Sequence, residues 1–319
     1  MRQTGGMSRL AARPVLPKER TWRPDWPCPV ATILSPLRRG AGDPTHLREP
    51  SGAVWRASRT PDGPVTLRIC SLDGAGEVRA AAWGPGSGWA LDRLPTMLGA
   101  SDDPSGFEPL QPVLRRAWRR FAHLRTPSTG LVLESLVPSI IEQKVTGREA
   151  WTGWRNLVRR FGEPAPGPGG ATGMRLLPSP TALAAIPSWE WLRMHIDPAR
   201  SRTVVRAARV ADALERTIGL PFDEVDRRLR SLPGVGLWTS AEVRQRAHGD
   251  SDAVSFGDYH LATMVGHTLT GEPVDDEEMA SLLDPYRPHR HRVQRLVELA
   301  GSLPPRRGPK MAPRTHLPN

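Results

Sequence analysis

A Pro-Gly-Val-Gly segment at residues 233–236 separates two amphipathic patterns, and it constrains the local fold more tightly than any other part of the sequence. Before it, apolar residues recur at helical spacing from Phe222 to Leu232, and a second helical pattern begins at Trp238. Proline and glycine together interrupt a helix and favour a turn. The sequence therefore predicts two short helices joined by a four-residue hairpin.

The two glycines suit this hairpin to binding an anion. Gly234 and Gly236 permit positive φ and carry no Cβ, so successive backbone N–H groups can point outward at the start of the second helix. Val235, between them, is expected to pack inward. An ordinary C-cap glycine followed by a turn would give the same short pattern. Because apolar helices flank the segment, we interpret it as an anion site, and on DNA the anion would be a phosphate.

Longer stretches around this hairpin resemble a known family. The segment LPGVGLWTSAEV (residues 232–243) is followed by GDYHL (residues 257–261), and together they are similar to the helix-hairpin-helix, Gly/Pro-rich, catalytic-Asp (HhH-GPD) superfamily of DNA glycosylases. Within it, the chain looks like the bacterial DNA-3-methyladenine glycosylase II type. The segment LVLESLVPSIIEQKVTGREAW (residues 131–151) resembles the first core helix of the family. The resemblance extends from about Pro109 to Gly301.

The resemblance implies that Asp258 is the catalytic carboxylate. Cleavage of an N-glycosidic bond passes through an oxocarbenium-like state, which a nearby carboxylate can stabilise while it orients or deprotonates the attacking water. An alkylated purine is already cationic, so it can leave without a general acid. Asp258 would also serve as the N-cap of a helix predicted over residues 259–269, and the two roles are compatible.

Trp238 stands where relatives that also cut the DNA backbone carry a lysine. Without that amine no Schiff base can form at this position, so we expect release of the base alone and no lyase activity. In the alkylation-repair branch a tryptophan here walls the base pocket, where it would stack on a flipped, cationic base. Packing between the hairpin helices is the alternative role for Trp238.

The resemblance further implies a surface that binds DNA. Gln143 and Lys144 form the corner that enters the minor groove after the first core helix. Contacts with the DNA backbone are expected from the hairpin and from the last helix, at Gly234, Val235, Gly236, Thr239 and Arg290. The only metal considered is a monovalent cation held by the backbone of Pro233, Gly234 and Gly236.

Three positions depart from the alkylation-repair pattern. Lys144 replaces an apolar wedge and could contact a phosphate instead. Glu242 replaces an aromatic pocket residue, and residues 288–290 read Pro-His-Arg where those relatives have Pro-Trp-Arg. We place Glu242 and His289 in the base pocket, which predicts a polar pocket with altered or narrower base preference. The His289 and His291 pair, flanked by arginines, is expected on a solvated, phosphate-facing surface rather than at a metal site.

Composition excludes several classes of protein. The formal net charge of +11 suits a polyanionic partner, although all but three of the 44 basic residues are arginine, as a GC-rich genome would favour. Basic residues nevertheless concentrate near the hairpin and in the last predicted helix. Cys28 and Cys70 are too few for an iron–sulfur cluster or a disulfide framework, so we expect no cofactor. Neither a membrane span nor a signal peptide is evident.

The chain is predicted to be mainly α, with an α+β N-terminal domain. A small antiparallel-sheet (TBP-like) domain would precede a two-part helical core. We expect a flexible arm at residues 1–20, the sheet domain at 21–108, the core at 109–301 with a Gly/Pro-rich loop at 162–180, and a basic disordered tail at 302–319. Helices are expected at 110–125, 130–161 with a kink or boundary at Pro138, 181–185, 201–218, 222–231, 238–247, 259–269, 276–283 and 289–299.

These features favour a monofunctional DNA glycosylase of base excision repair, acting on alkylated, cationic purines and leaving an abasic site. One alternative is a non-catalytic or weakly catalytic DNA-binding module for distorted duplex. A glycosylase for neutral deaminated or oxidised bases is the other, and it fits Glu242. The expected partner is damaged double-stranded DNA, and the expected protein is a cytoplasmic, nucleoid-associated monomer without membrane contact.

Overall fold

The computed structural model describes residues 16–301. Most of the expected N-terminal arm and the expected tail from residue 302 lie outside this part. The first strand begins at Lys18, so residues 18–20 belong to the sheet and not to the arm. Within the described part, no helix is both long and apolar enough to cross a bilayer.

The predicted antiparallel sheet is confirmed as a five-stranded sheet with the order β1-β5-β4-β3-β2. Ile69 of the central strand pairs with Val54 on one side and Ala80 on the other, and all three are buried. This apolar face packs against three short helices, of which one lies between the first two strands and two follow the last strand. The strands are β1 (Lys18–Trp22), β2 (His46–Arg48), β3 (Val54–Thr60), β4 (Gly63–Leu72) and β5 (Glu77–Trp83).

The rest of the described chain is mainly helical. Its α-helices are α1 (Val30–Ile33), α2 (Ser87–Asp92), α3 (Leu94–Met97), α4 (Pro112–Phe121), α5 (Val132–Ile141), α6 (Gly147–Phe161), α7 (Pro168–Ala171), α8 (Pro180–Ala185), α9 (Ser188–Arg193), α10 (Pro198–Arg209), α11 (Ala211–Glu215), α12 (Phe222–Arg230), α13 (Leu237–Val243), α14 (Leu261–Leu269), α15 (Asp276–Leu283) and α16 (Arg290–Ala300). A π-helical turn, Arg244–His248, continues α13, and 3₁₀ turns lie at Ser35–Leu37, Asp73–Ala75 and Asp284–Tyr286.

Two separate apolar clusters divide the helices of the core into two halves, in agreement with the predicted two-part core. The first half is built around α5, with Leu136 and Ile140 fully buried against α6, α8, α10 and α13. The second half joins α4 to α14, α15 and α16, with Val293 and Leu296 at its centre. The hairpin between α12 and α13 belongs to the first half, and residues 249–260 lead from it into the second.

One expectation for the helical core was wrong, because no helix boundary lies at Pro138. Helix α5 continues through Pro138 to Ile141, and the chain breaks at residues 142–146 instead. Proline removes only one helical hydrogen bond there, and burial of the surrounding apolar residues keeps the helix intact. The Gly/Pro-rich segment at 162–180 is ordered against the sheet. It contains α7, and Thr66 Oγ1 of β4 donates a hydrogen bond of 2.7 Å to Pro166 O.

A buried ion pair ties α16 to the loop that follows the sheet domain. Arg292 Nη2 donates to Asp102 Oδ1 at 2.7 Å, and the two side chains are only 1% and 3% exposed. Asp102 Oδ2 also accepts from the backbone N–H of Thr126 at 2.8 Å. The charges are therefore compensated inside the protein, where an unpaired one would be strongly unfavourable.

We predict that Asp102→Asn lowers the free energy of unfolding by about 3 kcal/mol, because it leaves the Arg292 guanidinium buried without its counter-charge. Urea unfolding followed by circular dichroism measures the change. Asp284→Asn is the control, since the Asp284–Arg287 pair is largely exposed and should contribute little. Equal effects of the two substitutions would contradict this account.

Candidate DNA-binding and catalytic site

The hairpin after α12 is a tight turn that requires glycine at its second position. Gly234 has a φ of +98°, and a Cβ built there would lie 2.2 Å from Thr203 Oγ1 on α10. Val235 is buried in the first helical half, as the sequence predicted. Its N–H donates to Leu232 O at 3.0 Å and closes the turn. The backbone of the hairpin is therefore fixed against α10.

The start of α13 faces open space. Gly236 is the N-cap of this helix, and no side chain in the described residues caps its first turn. Nothing lies within 4 Å of the position where a Cβ of Gly236 would be. Leu237, the first residue of the helix, is 53% exposed. Unpaired N–H groups and the positive end of a helix thus meet solvent here.

The corner between α5 and α6 contacts this hairpin directly. Gln143 Nε2 donates to Gly234 O at 2.9 Å and to Thr239 Oγ1 at 2.7 Å. Thr239 is buried, so its hydroxyl holds Gln143 in place rather than facing solvent as expected for a DNA contact. Lys144 is exposed and has a φ of +54°, a backbone conformation that non-glycine residues rarely adopt. The corner therefore projects the lysine outward beside the hairpin.

The N-terminal domain is tied to the same corner. Arg39, which is buried, donates to both carboxylate oxygens of Glu142 at 2.8 and 3.1 Å. Burial lowers the pKa of Arg39, while the neighbouring Glu142 carboxylate opposes that effect. Glu142, the residue before Gln143, is therefore held by the N-terminal domain.

Asp258 lies beside the hairpin, in the loop before α14. Its Oδ1 accepts from the backbone N–H groups of His260 and Leu261 at 2.9 and 3.1 Å, so the carboxylate binds the first N–H of α14. The N-cap residue itself is His260, because the helix begins at Leu261 and not at residue 259. Its Oδ2 accepts from Trp238 Nε1 at 3.2 Å. Both side chains are half-buried. The hydrogen bond places the predicted catalytic carboxylate and the predicted pocket tryptophan in contact.

Glu242 lies one turn after Trp238 on α13 and is buried. Ser255 Oγ donates to its Oε1 at 2.7 Å, and Arg246 Nη1 lies 2.7 Å from its Oε2. Ser255 also connects this cluster to the loop that carries Asp258, because its carbonyl accepts from the N–H of Asp258 at 3.1 Å. The carboxylate predicted for the base pocket is thus anchored next to Asp258.

Both histidines of the His-x-His pair are buried, so the expectation of a solvated surface was wrong. His289 packs edge-on against Phe107, with ring centroids 5.8 Å apart, and it does not line the cleft that contains Glu242. His291, two residues on, does line that cleft. Burial lowers the pKa of both rings below the ordinary value, and nearby arginines add to the effect.

Comparisons with known proteins agree with the overall fold. No protein-family model matches the sequence. The fold aligns with a 3-methyladenine DNA-glycosylase from Archaeoglobus fulgidus at a TM-score of 0.68 and 18% identity, over 83% of this chain and 93% of that one. An apo 8-oxoguanine glycosylase/lyase from Clostridium acetobutylicum aligns at 0.66 and 11% identity, over 89% and 98% of the two chains. This chain has the DNA glycosylase fold.

A curated relative agrees with the motifs. Over 152 residues the chain is 31% identical to a probable bifunctional transcriptional activator/DNA repair enzyme AlkA of Mycobacterium tuberculosis. The match covers 47% of this chain, and the chain spans only 30% of that relative's length. The resemblance to helix-hairpin-helix glycosylases, drawn from residues 131–151 and 232–261, is therefore confirmed.

Arginines around the candidate site mostly form ion pairs, which the sequence did not reveal. Arg290, expected to contact DNA, is held by Asp252 through bonds of 2.6 and 2.9 Å, and its side chain is 14% exposed. We therefore omit Arg290 from the candidate DNA contacts. Eight further arginines, which flank the hairpin in the sequence or lie in or just before α16, also have a carboxylate partner: Arg227, Arg228, Arg230, Arg244, Arg246, Arg287, Arg292 and Arg295.

The expected cation site stays a prediction. Gly234 O accepts from Gln143, and Gly236 O accepts from the N–H of Ser240, so both oxygens already have one partner. A carbonyl oxygen has a second lone pair, so these bonds leave room for a cation. Among residues 16–301, no group of three or more His, Cys, Asp or Glu side chains could hold a metal ion.

We predict that Gly234→Ala lowers the free energy of unfolding by about 1–3 kcal/mol, because alanine is strained at positive φ and its Cβ would collide with Thr203. Gly236→Ala is the matched control: its φ of −99° suits alanine and its Cβ would meet nothing. Thermal unfolding of both variants measures the difference. A destabilised Gly236→Ala with an unaffected Gly234→Ala would contradict the hairpin geometry.

We also predict that stability falls as the pH drops below about 6.5. Since burial lowers the pKa of His291, the unfolded chain binds a proton there before the folded chain does, so acid favours unfolding. His291→Gln should reduce this slope by up to about 1.4 kcal/mol per pH unit. Urea unfolding at several pH values measures it, with the exposed His123→Gln as the control that keeps the slope.

Proposed function

We propose that this chain is a monofunctional DNA glycosylase of base excision repair that hydrolyses the N-glycosidic bond of alkylated purines. The observation that carries the proposal is the contact between Trp238 Nε1 and Asp258 Oδ2, at 3.2 Å, beside an uncapped helix start. It joins a flat aromatic surface for a base, a carboxylate for the sugar and N–H donors for a phosphate. A glycosylase needs these three groups together.

Duplex DNA would lie across the hairpin and the corner. The free N–H groups at the start of α13 would bind a backbone phosphate near Gly236. Lys144, which projects from the corner, would enter the minor groove or bind a phosphate there. The net charge of +11 favours a polyanion, although buried, paired arginines such as Arg290 contribute little direct contact. We propose that one copy of the chain is sufficient for this contact.

The chemistry would depend on Asp258. As the bond between the sugar and the base breaks, positive charge develops on the sugar ring, and the carboxylate stabilises it at close range. Backbone N–H groups hold Oδ1, so the side chain is fixed before the substrate arrives. Water then adds to the anomeric carbon and gives up a proton to the Asp258 carboxylate, which releases it to solvent. A purine alkylated at N3 or N7 leaves as a neutral base, so no general acid is required.

Backbone cleavage is not part of the proposed reaction. The hairpin position that would supply an amine carries Trp238. A lyase reaction requires a nucleophilic amine to form a Schiff base with the sugar, and an indole cannot do so. The product would therefore be an abasic site in an unbroken strand.

The relatives support an alkylated substrate. The Mycobacterium tuberculosis protein is described as a DNA repair enzyme AlkA, and the Archaeoglobus fulgidus protein as a 3-methyladenine DNA-glycosylase. A Clostridium acetobutylicum enzyme with a similar fold acts on 8-oxoguanine and has been solved with double-stranded DNA. The fold thus accommodates both cationic and neutral damaged bases, and the choice between them depends on the residues of the pocket.

We predict that wild-type protein forms abasic sites in a duplex treated with a methylating agent and that Asp258→Asn slows this by about 100-fold or more. Strands should break only after heating in alkali, because no amine is available at position 238. Binding to the duplex should persist in the variant, since the phosphate contacts are unchanged. The control is Asp284→Asn, an exposed carboxylate outside the site.

The outcomes separate the candidate functions. Strand breaks without alkali would contradict the monofunctional reaction. Binding of distorted duplex without base release from any lesion would favour the non-catalytic DNA-binding module. Equal rates for wild type and Asp258→Asn would remove Asp258 from the mechanism.

A further inference from the structure

A polar cleft lies between the N-terminal domain and the second turn of α13. About 290 Å³ of space lies between its walls, but most of it is open to solvent, and the enclosed part has room for about two water-sized groups. We define the polar cleft by five of its lining residues, and all but the first carry polar side chains: Pro36, Glu242, Arg246, His291 and Gln294. A cleft of this character beside an apolar core is suited to a ligand with hydrogen-bonding groups on one edge.

The polar cleft lies beside the proposed catalytic site, to which Glu242 connects it, while Trp238 and Asp258 are not among its lining residues. Trp238 and Glu242 are four residues apart on α13, so their side chains lie on one face of the helix. Trp238 contacts Asp258, and Glu242 contacts Ser255, three residues before Asp258. A base stacked on Trp238 would therefore direct its far edge toward Glu242.

Ser255 fixes Glu242 as a hydrogen-bond acceptor. The hydroxyl oxygen of Ser255 accepts from Gln245 Nε2 at 2.9 Å and from Gln294 Nε2 at 3.2 Å. Its single hydrogen is therefore left for Glu242 Oε1, at 2.7 Å. Each carboxylate oxygen can accept a further hydrogen bond. Glu242 thus presents acceptor sites to the cleft.

Arg246 supplies donors beside this acceptor. Its Nη1 pairs with Glu242 Oε2 at 2.7 Å, and its Nε donates to Pro36 O of the N-terminal domain at 3.0 Å. Its Nη2 has no hydrogen-bond partner in the described part of the chain. The N-terminal domain therefore holds a guanidinium whose remaining donor is available next to the carboxylate.

We propose that the polar cleft binds the six-membered-ring edge of the flipped base and selects 6-oxopurines over 6-aminopurines. A guanine-type edge presents O6 as an acceptor beside N1–H and N2–H donors. Arg246 would donate to O6, and Glu242 would accept from N1–H and N2–H. An adenine-type edge presents N1 as an acceptor toward the carboxylate, so two acceptors would face each other. The inference rests on the proposed glycosylase function.

This selection is compatible with an alkylated substrate. Methylation of guanine at N7 or N3 leaves O6, N1–H and N2–H unchanged, and it makes the base cationic. The expected substrates are therefore alkylated guanines before alkylated adenines. Unalkylated 6-oxopurine lesions such as hypoxanthine present the same O6 and N1–H groups to the cleft.

One methylated duplex tests the selection internally, because it contains both 7-methylguanine and 3-methyladenine. Released bases are quantified by mass spectrometry, and each rate is divided by the rate without protein. We expect the enhancement for 7-methylguanine to exceed that for 3-methyladenine by about 10-fold or more. Glu242→Gln should reduce this ratio by about 10-fold, since an amide can donate to adenine N1. An unchanged ratio in a folded Glu242→Gln would overturn the assignment of Glu242.

The matched control is Glu190→Gln. Glu190 is also buried and paired with an arginine, Arg160, at 2.6 Å, but it lies on α9 outside the site. The ratio should not change in this variant. If Glu242→Gln does not fold, the wild-type ratio still decides: preference for 3-methyladenine would overturn the selection.

Failure of the selection and failure of the proposed function give different results. Release of 3-methyladenine in preference to 7-methylguanine keeps the alkylpurine glycosylase and overturns the selection. Silence on methylated DNA with release of hypoxanthine from an inosine-containing duplex overturns the alkylated substrate and supports the selection. Silence on every duplex overturns both.

Discussion

The amide of Gln143 joins the two segments from which the candidate site is built. It donates from the corner after α5 to the carbonyl of Gly234 and the hydroxyl of Thr239. The corner and the hairpin lie about ninety residues apart in the chain, and each exposes a group suited to DNA. Because the amide is half-buried and donates two hydrogen bonds, the spacing between Lys144 and the hairpin is set before any ligand binds. A rigid spacing of this kind lowers the entropic cost of binding.

Charge in this protein mainly stabilises the fold. The basic residues that the sequence places around the hairpin have carboxylate partners, and the Arg292–Asp102 pair is almost fully buried. Long-range attraction of DNA depends on net charge and survives such pairing, whereas direct phosphate contacts require free donors. The free donors nearest the site are backbone N–H groups at the start of α13 and the amine of Lys144. The side chains of Arg227, Arg228 and Arg230 are also 71%, 51% and 46% exposed, and their weak surface ion pairs leave them available to a phosphate.

Local patterns predicted most helices and the hairpin because they depend on neighbours in sequence. The spacing from Phe222 to Leu232 and the two glycines were sufficient for the turn and for the inward packing of Val235. Helices α1, α2, α3, α7 and α9 were missed, because four to six residues carry little periodic signal; α8, which is as short, was predicted. The sequence also did not predict the contacts that hold Thr239, His289 and Arg290 inside the protein. Their partners, Gln143, Phe107 and Asp252, are distant in sequence, and no local pattern encodes such a contact.

The sequence by itself determined the hairpin, the aspartate twenty residues after Trp238, the absence of an amine at that position and the polar character of residue 242. These follow from residue identity and short-range spacing. Only the tertiary structure decided that Trp238 donates to Asp258, that Arg246 from α13 meets Pro36 of the N-terminal domain, and that His291 rather than His289 lines the polar cleft. Those contacts arise where helices and the sheet domain pack together, and packing selects among many arrangements that the same local patterns allow.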